Sequence, residues 1–180
     1  MEANEAQELQ EQHEHAHEAN LKPVGFTMSV LAVLVAVVTV LGHRTHTEAV
    51  LNQAKASDTW NLYQAKKIRQ NDTLLASDLL SALALRDPAT AKKISDGYNS
   101  HQEKWTEDLK EEQAEAEKLQ DEVALNERRA NRFDLGEALL EIGLVVTSIT
   151  LLTRKRGYWA FGGVFGIAGL VVATMAFLVR

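Results

Sequence analysis

The 180-residue chain sets 19 Lys and Arg against 25 Asp and Glu, a net charge of −6, with 46% apolar residues and no cysteine. The absence of cysteine excludes a disulfide framework and thiolate metal ligation, and acidity gathered in one tail argues against nucleic acid as a partner. These averages suit a soluble domain, yet apolar and charged residues are segregated into separate stretches.

Residues 1–23, "MEANEAQELQEQHEHAHEANLKP", carry six glutamates against one lysine and have no hydrophobic face. They read as a mobile or weakly helical tail. On a helix, His13 and His17 share one face at i, i+4, with His15 between them, and imidazoles so spaced suit Zn, Cu or Ni. No second shell is visible to orient the rings. Two readings stand: a solvated acidic tail, or a weak divalent-metal buffer. No other cofactor is implied.

Val24 to Gly42 holds no ionisable group and is close to the roughly 20 residues that span a bilayer as helix. A cleaved signal is not expected, because the polar tail precedes this run and "TVLGHRTH" is a poor cleavage site. Residues 43–135 then read as an antiparallel helical hairpin outside the membrane. No Gly or Pro occurs from His43 to Arg86, so helix continues out of the first span. At the tip, near 86–89, Pro88 suits a first helical turn with Asp87 as its N-cap.

The second arm has a regular seam of Ile94, Tyr98, His101, Trp105, Leu109, Glu112, Ala116, Leu119, Val123, Asn126, Ala130 and Phe133. The first arm's best stripe is Leu51, Ala54, Leu62, Ala65, Ile68, Leu75 and Leu79, interrupted by Asp58 and Asp72. Gly97 is the one blemish, worth about 1 kcal/mol against Ala. Polar residues in the seam predict a weak isolated stalk, so unused apolar residues are expected to face another copy.

The second span, 136–153, is short and carries Glu137 and Glu141. A basic turn, 154–157, leads to a third span, 158–179. In that span Gly162-xxx-Gly166 and Gly169-xxx-Ala173 allow close helix approach in lipid, with Ala32-xxx-Ala36 as a facing surface. The fold class is therefore all-α, with three transmembrane helices and a long extramembrane hairpin. The positive-inside rule puts Arg154–Arg156 and the tail in the cytoplasm and the hairpin outside; Arg44, Arg128, Arg129 and Arg132 weigh the other way.

"ASDTWNLYQAKKIRQ", residues 56–70, together with the His/Glu-rich start and the three apolar runs, resembles a bacterial membrane-protein family known only as a domain of unknown function. The matching positions are Ala56, Ser57, Trp60, Tyr63, Gln64, Ala65, Lys66, Ile68 and Arg69. The resemblance implies a bacterial inner-membrane setting and supplies no activity.

Trp60, Tyr63, Gln64, Lys66 and Arg69 mix aromatic and basic side chains. They read either as a docking or self-assembly patch, or as a helix packing its rings and solvating its cations. Glu141 lies about 18 Å from the cytoplasmic end of its span. A carboxylate there needs a proton, a partner or a watery cavity. Thr39 is the partner expected by depth, and below Glu141 only Thr147, Ser148 and Thr150 continue a polar path. Glu141 is thus a structural acid or a conduction site.

No nucleophile elbow, metal-hydrolase helix or phosphate loop occurs, so no enzyme is expected. The reading is a self-associating membrane scaffold, or an accessory subunit of a larger membrane complex. The alternatives are a small ion or proton channel or transporter subunit using Glu141, and a metal-responsive anchor.

Overall fold

The computed structural model describes residues 2–82 and 87–179, without the side chains of residues 2–20, Ala91 and Glu103. All regular structure among the described residues is helical: α1 (Glu2–Ala82), α2 (Pro88–Thr153) and α3 (Arg156–Met175), followed by a 3-10 turn at Ala176–Leu178. Three segments, Leu21–Ala82, Pro88–Thr153 and Arg156–Leu178, are long and apolar enough to cross a membrane.

The start of α1 differs from the sequence expectation. The backbone is helical from Glu2 and passes through Pro23 without a break. Glu, Gln, Ala and Leu, all strong helix formers, dominate the stretch before Pro23. One proline removes one hydrogen bond and crowds the preceding turn, and the long apolar run behind it carries the helix onward.

Asp87 starts α2 as expected. Its carboxylate accepts from the backbone N–H of Ala89 at 3.0 Å and of Thr90 at 3.3 Å, and from the Thr90 hydroxyl at 2.6 Å. These donors hold the carboxyl below its ordinary range, the Thr90 hydroxyl contributing most. The basic turn is tighter than its predicted 154–157: α2 ends at Thr153 and Arg156 already belongs to α3. The reversal rests on Arg154, whose φ of 56° lies in the left-handed region. Its N–H still bonds to the Thr150 carbonyl at 2.8 Å, closing the last turn of α2.

The chain forms two compact units, one of Glu48–Ala124 and one of Met1–Thr47 with Leu125–Arg180. Within Glu48–Ala124, α1 and α2 pair antiparallel. Asn52 donates to Glu122 at 3.3 Å, Lys66 pairs with Glu112, and Gln70 donates to Thr106 at 2.9 Å. The α2 side of this seam is the apolar one read from sequence: Leu109, Ala116 and Val123 are buried, Trp105 and Leu119 half-buried. Ile94 and His101 are exposed, so the predicted seam thins toward its early end.

The α1 side is different from its prediction. Its inward residues are Ala49, Ala56, Tyr63 and Gln70, each seven apart, with Asn52, Thr59, Lys66 and Thr73 each three residues further along. The apolar stripe faces out: Leu51, Leu62, Ile68, Leu75 and Leu79 are 54%, 49%, 60%, 60% and 52% exposed. Alanines and polar ends fit the close α2 surface and supply donors to Glu112 and Glu122, whereas the aliphatic stripe lies two residues out of phase.

In the other unit the core is Leu31, Val38, Phe133, Leu140, Ala173 and Ala176. Phe133 meets Phe177 edge to face at 5.5 Å. Arg129 donates two hydrogen bonds to the Val179 carbonyl, at 3.1 and 3.3 Å. These contacts tie the end of the chain to α2.

Candidate functional site

Glycine is what lets α2 and α3 approach. Gly162, Gly166, Gly169 and Ala173 form the buried face of α3. Opposite them stand Gly136, Leu140, Gly143 and Thr147 of α2, all buried. A Cβ at Gly136 would stand 2.9 Å from the Gly169 carbonyl, and one at Gly169 would stand 2.7 Å from the Gly136 carbonyl. Neither position tolerates a side chain without moving backbone, because real Cβ atoms essentially never come so close. The sequence reading identified the α3 half of this interface and missed Gly136 and Gly143, which are spaced seven apart rather than four. It also named the wrong facing surface: Ala32 and Ala36 are exposed. From α1, the residue that reaches the glycine face is Leu31, whose Cδ2 would meet a Cβ on Gly166.

The two acids of the apolar segment of α2, Glu137 and Glu141, separate. Thr39 Oγ1 donates to Glu137 Oε1 at 2.6 Å, and the pair is partly buried. Thr39 therefore serves Glu137, one turn away from the Glu141 expected from depth. Glu141 is exposed, on the face that carries Ala138, Val145 and Leu152, all exposed as well. The polar path expected below it does not keep one register. Thr147 and Thr150 are buried toward α3, and the Thr147 hydroxyl donates to the Gly143 carbonyl at 2.7 Å. Ser148 alone remains near the Glu141 face, half-buried. Nearer the end of the apolar segment, His46 Nε2 lies 3.0 Å from Asp134 Oδ2, a pair that sequence spacing did not suggest.

The aromatic-basic segment of α1 divides between two faces. Trp60 and Tyr63 pack edge to face at 5.5 Å and 87°. Both are half-buried, close to Ala56, which is buried at 1% exposure. Lys66 pairs with Glu112 across the seam, and this hydrogen bond raises the lysine's pKa above its ordinary value against the opposing effect of desolvation. Gln64 and Arg69 point outward, exposed. Trp60, Tyr63 and Lys66 thus lie on the α1–α2 seam, half-buried. Trp60 Nε1 is buried there without a hydrogen-bond partner among the described residues.

The side chains of His13, His15 and His17 lie outside the described residues. Among the described residues no three His, Asp or Glu side chains come together as a metal site.

No curated protein and no solved structure matches the chain. Residues 20–179 match the family described as "Domain of unknown function (DUF4337)". That span takes in the aromatic-basic segment, Glu137 and Glu141 and the whole glycine face, and the chain belongs to this family.

Proposed function

We propose that the protein is a three-span membrane scaffold whose extramembrane α1–α2 pair associates with further copies of itself. The observation that carries this reading is the outward stripe of Leu51, Leu62, Ile68, Leu75 and Leu79 on α1. An exposed row of Leu and Ile side chains, interrupted by Asp58 and Asp72, on a segment too charged to lie in lipid is a surface suited to protein contact. Ile68 and Leu75 are seven apart, and beside them Leu51, Asp58, Ala65, Asp72 and Leu79 also run seven apart, a repeat that a second helix can follow with aspartates at two of its positions. Full burial of each Leu or Ile is worth roughly 1.5–3 kcal/mol.

The membrane part of the reading is supported by length, hydropathy and surface. Phe26, Val33, Val37, Val40, Val145, Phe161, Val164, Ile167 and Val171 are all at least 50% exposed within the three apolar segments. Such a surface is compatible with lipid and costly in water. Three consecutive cations, Arg154–Arg156, favour a cytoplasmic turn in a bacterial inner membrane.

A second reading, movement of an ion or proton along Glu141, has one observation in its favour: the carboxylate stands exposed amid apolar neighbours. It requires an assembly, because the single-copy core is closed by Leu140 and by glycine backbones. The scaffold reading is tested by light scattering of the purified chain in mild detergent. Wild type is expected to be a homo-oligomer, and Ile68→Gln/Leu75→Gln/Leu79→Gln to fall to a smaller species with helix content kept. A monomeric wild type, or a triple variant of unchanged mass, overturns it.

A further inference from the structure

Between α1 and α3 lies an open apolar groove of about 320 Å³. Phe26, Val30 and Leu34 form one wall; Gly163, Ile167 and Leu170 form the other. Gly163 opens onto this space: a Cβ placed there would meet nothing within 4 Å. One end of the groove is tied by Trp159 Nε1, which donates to Thr27 Oγ1 at 3.1 Å. Beyond that tie both walls finish in cations. Lys22 stands one turn before Phe26 on α1, and Arg156 stands seven residues before Gly163 on α3, each on the same helix face as the wall residue it precedes. Arg154 and Lys155 adjoin them. All four are exposed, and none forms an ion pair among the described residues.

Apolar walls ending in paired cations match one ligand chemistry, that of an anionic phospholipid. We infer that this groove holds an acyl chain of such a lipid, with its phosphodiester held between Lys22 and Arg156. Basic residues at the headgroup level attract anionic lipid, and a cleft between spans adds a place for the chain. A helix of a second copy fits the walls less well. A neighbour in the same orientation would bring its own Lys22, Arg154, Lys155 and Arg156 to the same level, cation against cation. The inference rests on the membrane-spanning reading.

The test is native mass spectrometry of the full chain in nonionic detergent, offered equal amounts of dioleoyl phosphatidylglycerol and dioleoyl phosphatidylcholine. Wild type is expected to retain the anionic lipid over the zwitterionic one by roughly thirtyfold, the scale of two interfacial cations. Lys22→Gln/Arg156→Gln should bring the two lipids to parity. Gly163→Leu, which fills the groove, should release both. If Gly163→Leu loses helix content, Val30→Trp fills the same space from the other wall and carries the same expectation. Equal retention of the two lipids by wild type overturns the inference. So does unchanged phosphatidylglycerol binding in a folded groove-filling variant, or a lipid-independent dimer that these variants dissociate. Carbonate washing of cell membranes separates the two levels of the argument. A chain released by carbonate defeats the membrane reading itself, whereas a retained chain without lipid preference defeats only the lipid site.

Discussion

A Cβ on Gly143 of α2 would stand 2.8 Å from the carbonyl oxygen of Gly162 on α3. The two helices therefore touch through backbone, and any side chain at this point must push them apart. Gly143→Val is expected to destabilise the bundle by about 1–3 kcal/mol, the range for overpacking a close interface. Thermal unfolding in detergent followed by circular dichroism measures this. Gly163→Val, one residue along from Gly162 but facing open space, should leave the midpoint nearly unchanged.

Gly97 lies inside α2, where an added methyl group would meet nothing within 4 Å, and its carbonyl accepts from the Ser100 and His101 side chains. Backbone flexibility is the only property that its missing side chain contributes to the helix. Gly97→Ala is expected to raise stability by up to about 1 kcal/mol, read as a higher unfolding midpoint. A lower midpoint would show that the glycine is needed for a bend.

The Asp87 cap gives α2 a pH dependence of defined sign. Its carboxyl titrates below the ordinary value of 3.8, through bonds from Thr90 and Ala89. The contribution is complete above that ordinary value and disappears as pH falls through the lowered one. Asp87→Asn keeps a capping side chain and should remove this acid sensitivity. Asp87→Ala should lower stability near neutral pH, and its difference from wild type should close in strong acid. Helix content measured against pH for the three proteins checks both statements.

Lys66 and Glu112 are the ion pair among the polar links of the α1–α2 seam. The Glu112 side chain is only 13% exposed, so Lys66→Met leaves a nearly buried carboxylate without its partner and should lower the unfolding midpoint. Lys66→Met/Glu112→Leu should recover much of that loss, since an apolar pair of similar volume has no charge to desolvate. The lysine's raised pKa sets the sign with pH: the stabilisation is whole below the ordinary value of 10.5 and fades as pH rises through the raised one.

Much of this fold is legible in the sequence because it rests on long patterns. Uncharged runs near the bilayer length, the Asp87-Pro88 start and the α2 seam from Trp105 to Val123 each follow from local chemistry. The α3 glycine face could be read because its small residues recur four apart. Gly136 and Gly143 could not, since two isolated glycines in an apolar run resemble ordinary composition until α3 is placed against them. The facing of α1 was hidden for a different reason. Two interleaved seven-residue patterns run along it, and hydrophobicity selects the one carrying Ile68 and Leu75. The pairing uses the other, with Ala56, Tyr63 and Lys66, because small and polar side chains suit a close α2 surface with Glu112 and Glu122 in it. Depth alone does not distinguish one turn from the next, so it matches Thr39 to Glu141 where the structure bonds it to Glu137.

The most direct measurement uses the chain's lack of cysteine. Single cysteines at Ile68, Leu75 and Leu79, on the outward stripe of α1, should form disulfide-linked dimers in native membranes under mild oxidation. A cysteine at Glu115, exposed on α2 beside the buried seam residue Ala116, should not. Cross-linking confined to the α1 stripe is the predicted result; no cross-link there, or equal cross-linking at Glu115, contradicts self-association through this face.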